Sequence, residues 1–201
     1  MKTKNEFKIR ASGASNIMGV KALGKTGETY LKEWTKQQLY KRRKDISSKY
    51  LTKGLEMEDA AIEFVANELF NGAMMFKNEE YFNNDFFTGT PDLIHDNKII
   101  DIKCSWDCFT FPLFETELPD KNYFYQMQVY MELTGLEQAE VIYCLMNTPE
   151  SLLYGQSEDL HNYDNIKNEH RIKRFTVLRD QEVIDKLKSR VIESRGYIKT
   201  L

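Results

Sequence analysis

The chain predicts an α/β fold, a mixed β-sheet flanked by helices, and three observations carry that prediction. Segments with helical spacing of apolar residues are interspersed with short Ile-, Val- and aromatic-rich runs of strand length. Their order is helix, helix, three strands, helix, strand, strand, helix, which mixes the two types along the chain. At 201 residues the chain is long enough to cover both faces of such a sheet within one domain and one core.

Residues 11–27 are rich in Ala, Ser and Gly and read as a short helix between turns. GETYLKEWTKQQLYKRRKDI, 27–46, reads as a helix with Tyr30, Trp34 and Leu39 as its apolar contributions. A second helix is expected over 51–70, with Ala61, Ile62, Val65 and Leu69 on one stripe and Asn71-Gly72 as its stop signal. Three strands follow, at 73–83, at 86–94 and in KIIDIKCSW, 98–106. Asn83-Asn84-Asp85 separates the first two, and His95-Asp96-Asn97 has the composition of a tight turn. Pro91 has no amide to donate, so the second strand is expected to bend there. Residues 122–135 read as a helix closed by Gly135, and 139–146 and 170–178 as strands. The last helix sets Val183, Leu187 and Val191 on one face. The stretch 147–168 is polar enough to be a loop.

Composition bounds the function. Charged residues at 29% and the hydrophobic set at 41% place the chain in the globular class. Twelve Phe and eleven Tyr supply bulky material for a core and for a binding face. The net charge of -3 argues against a uniformly basic surface, so any polyanion must be met by a local patch. One such patch is KQQLYKRRK, 36–44, followed by Lys49 and Lys53; within it Lys41, Arg42, Arg43 and Lys44 are candidates for phosphate contact, against the alternative of a solvated helix face. Cys104, Cys108 and Cys144 cannot make a disulfide framework and fit a reducing compartment. No basic leader is evident and no apolar run approaches a membrane span, so a cytoplasmic protein without a membrane partner is expected.

Four charged residues stand out. Glu58 lies in line with the stripe Ala61, Ile62, Val65, Leu69, where a carboxylate is unusual unless paired or bound to a metal. As a first-turn acid it would also suit the helix dipole. In the third strand Ile99, Asp101 and Lys103 share one face while Ile100, Ile102 and Cys104 share the other, the pattern of a strand covered on both sides. A structural Asp101–Lys103 salt bridge is one reading. The other uses Asp92 as well: Glu58, Asp92 and Asp101, with the Ile102 carbonyl, would offer hard oxygen ligands to Mg²⁺, for which Mn²⁺ could substitute, and Lys103 would act on a water or a phosphate. With three His in the chain, only His95 near the cluster, the set does not suit Zn²⁺.

Pro91-Asp92 followed by Asp101-Ile102-Lys103 resembles the signature of the PD-(D/E)XK nuclease superfamily, which implies a restriction-endonuclease-like core. Gly54 with Glu58, Gln126-Met127-Gln128, and the early Ile9-Arg10-Ala11-Ser12 extend the resemblance to the phage exonuclease branch of lambda exonuclease and the YqaJ-like viral recombinases. The match runs from about residue 9 to 146. Asp101 stands where that pattern often has Glu, a difference of one methylene. The resemblance implies a catalytic set of Glu58, Asp92, Asp101, Lys103 and Gln128, the Gln128 amide orienting water or Lys103, with Arg10 and Ser12 at the terminal phosphate of the cut strand. It also implies a 5′-to-3′ exonuclease of phage recombination, acting on double-stranded DNA ends and leaving 3′ single strands for an annealing protein, with three subunits in a ring. Such a protein would belong to a phage or prophage and act in a bacterial host. In this reading 1–201 is a single nuclease domain: 1–50 is a helical DNA-contacting part, 51–146 the catalytic core, and 147–201 a polar excursion, closing strand and helix. The competing readings are an endonuclease or nickase on the same core, and a non-catalytic DNA-binding or scaffold protein.

Overall fold

The computed structural model describes residues 6–44 and 48–201. In chain order the elements are β1 (Ile9–Arg10), a 3₁₀ segment Ala11–Ile17, α1 (Gly24–Tyr40), α2 (Lys49–Glu56), α3 (Glu58–Leu69), β2 (Phe82–Asn83), β3 (Phe87–Gly89), β4 (Leu93–His95), β5 (Lys98–Cys104), α4 (Lys121–Thr134), β6 (Gln138–Cys144), β7 (Ile172–Leu178) and α5 (Gln181–Ile198). The main sheet has the order β4-β5-β6-β7, with β5 and β6 parallel and both outer pairs antiparallel. A small second sheet, β1-β3-β2, lies beside it. This is the mixed α/β architecture that the sequence predicts.

Alternation along the strands builds two apolar layers. Ile99, Ala139, Val141, Phe175 and Val177 face a core shared with Leu31 of α1, Met127 and Met131 of α4, and Ile184, Leu187 and Val191 of α5. On the opposite face Ile100, Ile142 and Cys144 meet Ala61, Ile62 and Val65, the expected stripe of α3. Three helix starts are capped by side chains, Ser48 to the Leu51 amide, Asp120 to Asn122 and Asp180 to Val183. Gly135 takes φ 74° and ends α4 as a left-handed cap. Asp96 and Asn97, both at positive φ, close the β4–β5 hairpin, in line with its turn composition. Among the described residues no helix is long and apolar enough to cross a membrane.

Several boundaries differ from the sequence reading, each for a visible reason. The helix expected over 27–46 ends at Tyr40 because Lys41 turns to φ 52°; residues 45–46 of that expectation lie outside the described residues. The helix expected over 51–70 is two helices meeting at Met57 (φ -97°, ψ 1°), which makes Glu58 the first residue of the second. Of the strand expected over 73–83 only Phe82–Asn83 forms. The 77–80 region instead binds across to the 91–92 backbone, with the Asn78 amide on Asp92 O at 2.8 Å and Asn78 Nδ2 on Pro91 O at 3.0 Å. The strand expected over 86–94 splits at Thr90-Pro91-Asp92, since Pro91 lacks a donor and the Thr90 and Pro91 carbonyls accept from Tyr130 and Asn78 side chains. Its halves join different sheets. The polar stretch 147–168 is held in place by Asn147, which accepts from the Tyr163 amide (2.7 Å) and donates to Asp164 (2.8 Å).

Lys53 departs furthest from expectation. Read as part of a basic surface patch, it is fully buried. Its Nζ donates to the carbonyls of Ser105 (2.8 Å), Trp106 (2.9 Å) and Met146 (2.7 Å), tying α2 to the chain just beyond β5 and β6. Burial pulls its ammonium down to about 8, and the nearby Cys104 and Asp107 only partly oppose that. Lys53→Met should destabilise the fold by roughly 3 kcal/mol, because three buried carbonyls lose their donor at once. Urea unfolding measures this, and a loss under ~1 kcal/mol would show that the carbonyls find other partners.

Candidate active site

The site is built on β5. Asp101, on the α4 side of the strand, is fully buried, paired with Val141 of β6 on one edge and one residue beyond the last β4 pair, Leu93–Ile100, on the other. Lys103 follows on the same face, with its Nζ 2.7 Å from Asp101 Oδ2. The salt bridge of the plainer sequence reading is therefore present. Oδ2 thus has the ammonium as its partner, while Oδ1 accepts from Gln126 Nε2 at 3.3 Å. Gln126 also donates to Tyr130 Oη (3.2 Å), and the Tyr130 hydroxyl donates to Thr90 O (3.0 Å). This chain of contacts joins Asp101 to the backbone two residues before Asp92.

Asp92 sits at the break between β3 and β4, with its backbone held by Asn78. Burial, then the charges of Asp101 and Glu58, push its carboxyl up to about 7, against the pull of Lys103 and Lys77. Lys103 answers in the opposite sense. Burial opposes its charge, but Asp101 and Asp92 outweigh that and hold the ammonium above the ordinary lysine range. It also lies 4.6 Å from the centre of the Tyr123 ring. Glu58, at the head of α3, accepts from Lys77 Nζ at 2.5 Å. Glu58, Asp92, Ile102 and Lys103 line one cavity of about 600 Å³, whose outer wall carries Tyr50 and Trp106.

Among the described residues no three carboxylate, imidazole or thiolate groups form a ready-made metal cage. The preformed ligand cluster expected from the motif is absent in that form, because Asp101 and Glu58 turn to the two ammonium groups nearest them. The donor chemistry still fits a hard divalent cation. Glu58, Asp92 and Asp101 are hard oxygen donors; the Cys104 thiol that lines the same cavity is a single sulfur, pushed up to about 11 by burial, and among the described residues no imidazole lines that cavity.

Gln128 is not at this site. It is fully buried, donates to Leu178 O (2.8 Å) and accepts from the Asp180 amide (2.8 Å), so it fastens α4 to the start of α5. Two residues along a helix are about 200° apart, so only one glutamine of the Gln-x-Gln pair can face β5, and that one is Gln126. Its spacing of four from Tyr130 is the signal that reveals this in the sequence. Lys77 and Lys53 carried no local signal, since their partners are 19 to 93 residues away.

A second cavity, of about 900 Å³, is lined by Arg10, Ser12, Arg43, Trp34 and Tyr81, with Thr90 and Tyr130 among its other walls. Thr90 and Asp92 thus face the two cavities from one short break in the chain. Arg43 joins Arg10 and Ser12 in this cavity, and Lys44 joins the same three residues in a neighbouring one of about 570 Å³. Lys41 and Arg42 line an adjoining groove with Arg43, and Lys44 pairs with Glu33 at 3.2 Å.

No protein-family model matches the sequence, and no curated protein matches it. Solved structures do. An alkaline exonuclease of Laribacter hongkongensis, LHK-Exo, aligns over 96% of this chain and 88% of its own with a TM-score of 0.71 at 18% identity. The same enzyme in complex with dAMP aligns to the same extent at 20% identity. These two establish likeness of fold. A phage-related exonuclease from Haemophilus somnus 129PT is 31% identical over 98% of this chain and 95% of that one, with a TM-score of 0.89. A match of that identity over nearly the whole length means that the chain belongs to the phage-related exonucleases, nuclease-type hydrolases with a PD-(D/E)XK-like fold.

Proposed function

We propose that the protein is a Mg²⁺-dependent deoxyribonuclease that degrades double-stranded DNA from its ends, in the 5′-to-3′ direction. The observation that carries this reading is the convergence of Asp92, Lys103 and Glu58 on one cavity beside a fully buried Asp101 that is paired with Lys103. Glu58, Asp92 and Asp101 would hold the cation, with the Ile102 carbonyl as a further oxygen. When bound, the cation supplies charge neutralisation at a phosphate oxygen and a lowered water pKa. Mn²⁺ would serve the same donors.

The chain's own residues divide the remaining work. Lys103, directed by its strand to the same side as Asp101, polarises the attacking water or fixes the scissile phosphate as a point charge. Gln126, and not the Gln128 that the sequence resemblance offered for orienting water or Lys103, reaches the site: it orients Asp101 and ties it to Tyr130 and the Thr90 backbone. Arg10 and Ser12 hold the terminal phosphate, and Arg43, with Lys41, Arg42 and Lys44 around it, meets backbone phosphates without reading bases. A negative net charge is compatible with this because the basic groups are gathered along one cavity and its adjoining groove. Three copies in a ring, an annealing protein as partner and action within a phage-infected bacterium complete the reading.

Incubating linear and closed circular duplex with Mg²⁺ tests it directly. Loss of linear DNA alone is expected; nicking of the circle would favour an endonuclease, and no cleavage of either a DNA-binding module. Asp101→Asn should abolish hydrolysis while the chain stays folded, since size is kept and only charge is removed. Lys103→Met should lower single-turnover cleavage by roughly 10² while Mn²⁺ binding survives. A folded Lys103→Met that cuts at the parent rate would remove Lys103 from the mechanism.

Asp92 adds a pH signature. Its carboxyl is raised to about 7 in the fold, whereas in the unfolded chain it titrates near 4. Between those values the native state holds a proton that the unfolded state has lost, so stability from this group falls as pH rises from about 4 to about 7. Asp92→Asn should flatten that part of the metal-free stability profile, and Mg²⁺ should do the same for the parent protein. Profiles unchanged by either would place Asp92 outside the carboxylate cluster.

A further inference from the structure

Lys77 is unaccounted for in the mechanism above. It comes from an irregular segment whose own acidic neighbours are Glu79 and Glu80, yet its ammonium pairs with Glu58 instead. The pairing is set by the backbone. Asn78 donates its amide to Asp92 O (2.8 Å) and its side chain to Pro91 O (3.0 Å), while its Oδ1 accepts from the Glu80 amide (3.2 Å). The residue next to Lys77 is thereby clamped to the same short stretch that carries Asp92. The Lys77 stem cannot drift away from the carboxylates, and its ammonium is near Glu58, Asp92 and Asp59.

The two lysines of the cluster differ in a way that matters. The Lys103 side chain is 22% exposed and pairs with an Asp101 that is completely covered; the Lys77 side chain is 49% exposed and pairs with a Glu58 at the rim of the cavity. An exposed pair of this kind is weak and exchanges readily, since water screens it and the long side chain regains rotamer freedom on release. A cation recruiting Glu58 must displace this ammonium, and the freed group, on a half-exposed side chain, can swing to the cavity mouth. A DNA phosphate arriving at that mouth is the counter-charge that suits it.

We infer that Lys77 is a second phosphate-contacting residue, held by Glu58 until a divalent cation takes that carboxylate, so that loading of cation and of DNA are coupled through one exchange of partners. The inference rests on the proposed cation site. Glu58 is then both a ligand and a latch: a singly charged ammonium leaves as a doubly charged cation arrives, and the freed ammonium's own charge is balanced by the substrate.

The test is Mn²⁺ binding by titration calorimetry for the parent, Lys77→Met and Lys77→Arg, each with and without a short duplex whose end linkages are phosphorothioates that resist cleavage. Without DNA, Lys77→Met should bind Mn²⁺ about 5-fold or more tightly than the parent, since the competitor is gone, while Lys77→Arg stays near the parent. With the duplex present that advantage should shrink to under about 2-fold, and the salt dependence of duplex binding by Lys77→Met should lose about one phosphate contact. Unchanged or weaker Mn²⁺ affinity in Lys77→Met, with a parent-like salt slope, would overturn the exchange and leave a plain surface ion pair. Asp101→Asn is run alongside. Mn²⁺ affinity equal to the parent in that variant would instead defeat the cation site itself, which keeps the two failures apart.

Discussion

The candidate site depends on one buried charge. Asp101 lies on a strand paired along both edges and covered on both faces, where a lone carboxylate would be strongly disfavoured. It is tolerated because a lysine two residues on reaches the same side of the strand and a glutamine from α4 donates to its other oxygen. The surrounding elements serve that arrangement. α4 must lie across β5 at a fixed rotation, and the Gln128 contacts to Leu178 and Asp180 supply the lock on the far side of the helix. A buried pair of this kind contributes little net stability compared with apolar packing. Its cost is more readily understood as the requirement of a site than as a device for holding the fold.

Around Asp101 the charges are unequal. Glu58, Asp92 and Asp101 face Lys77 and Lys103, and Asp92, which makes no salt bridge among the described residues, has its carboxyl pushed up to about 7 by burial and by its acidic neighbours. Three carboxylates against two ammonium groups leave the cluster short of positive charge, the imbalance that supports the proposed cation site. The residues that prepare it come from three separate places: the head of α3, the interrupted chain at 90–92, and the middle of β5. The break at Pro91 is central to this. It keeps Asp92 out of a regular ladder, frees the Thr90 and Pro91 carbonyls for Tyr130 and Asn78, and opens the chain to a cavity on either side.

The outer parts are fastened by polar groups reaching over long stretches of sequence. Lys53 closes the ends of β5 and β6 onto α2, and Arg195 of α5 reaches back to the carbonyls of Phe7 and Asp85. Each replaces many backbone contacts with one multidentate side chain, a solution suited to a chain whose second sheet is built from strands of two and three residues. Such short strands cannot hold their register alone.

Local physics was enough for much of this. The stripe Ala61, Ile62, Val65 specified the covered face of α3, the alternation in KIIDIKC specified a strand buried on both sides, and Pro91-Asp92 with Asp101-Ile102-Lys103 pointed to the residues of the candidate site. These are periodic or adjacent signals, readable because neighbouring residues in an element have fixed relative directions. The tertiary structure alone decided the rest. The rotation of α4 selects Gln126 over Gln128, the clamp at Asn78 brings Lys77 to Glu58, and closure of β5 and β6 onto α2 buries Lys53 in what reads as a basic surface run. In each case the deciding partner is distant in sequence, and a side chain's direction within its own element says nothing about which distant backbone will meet it.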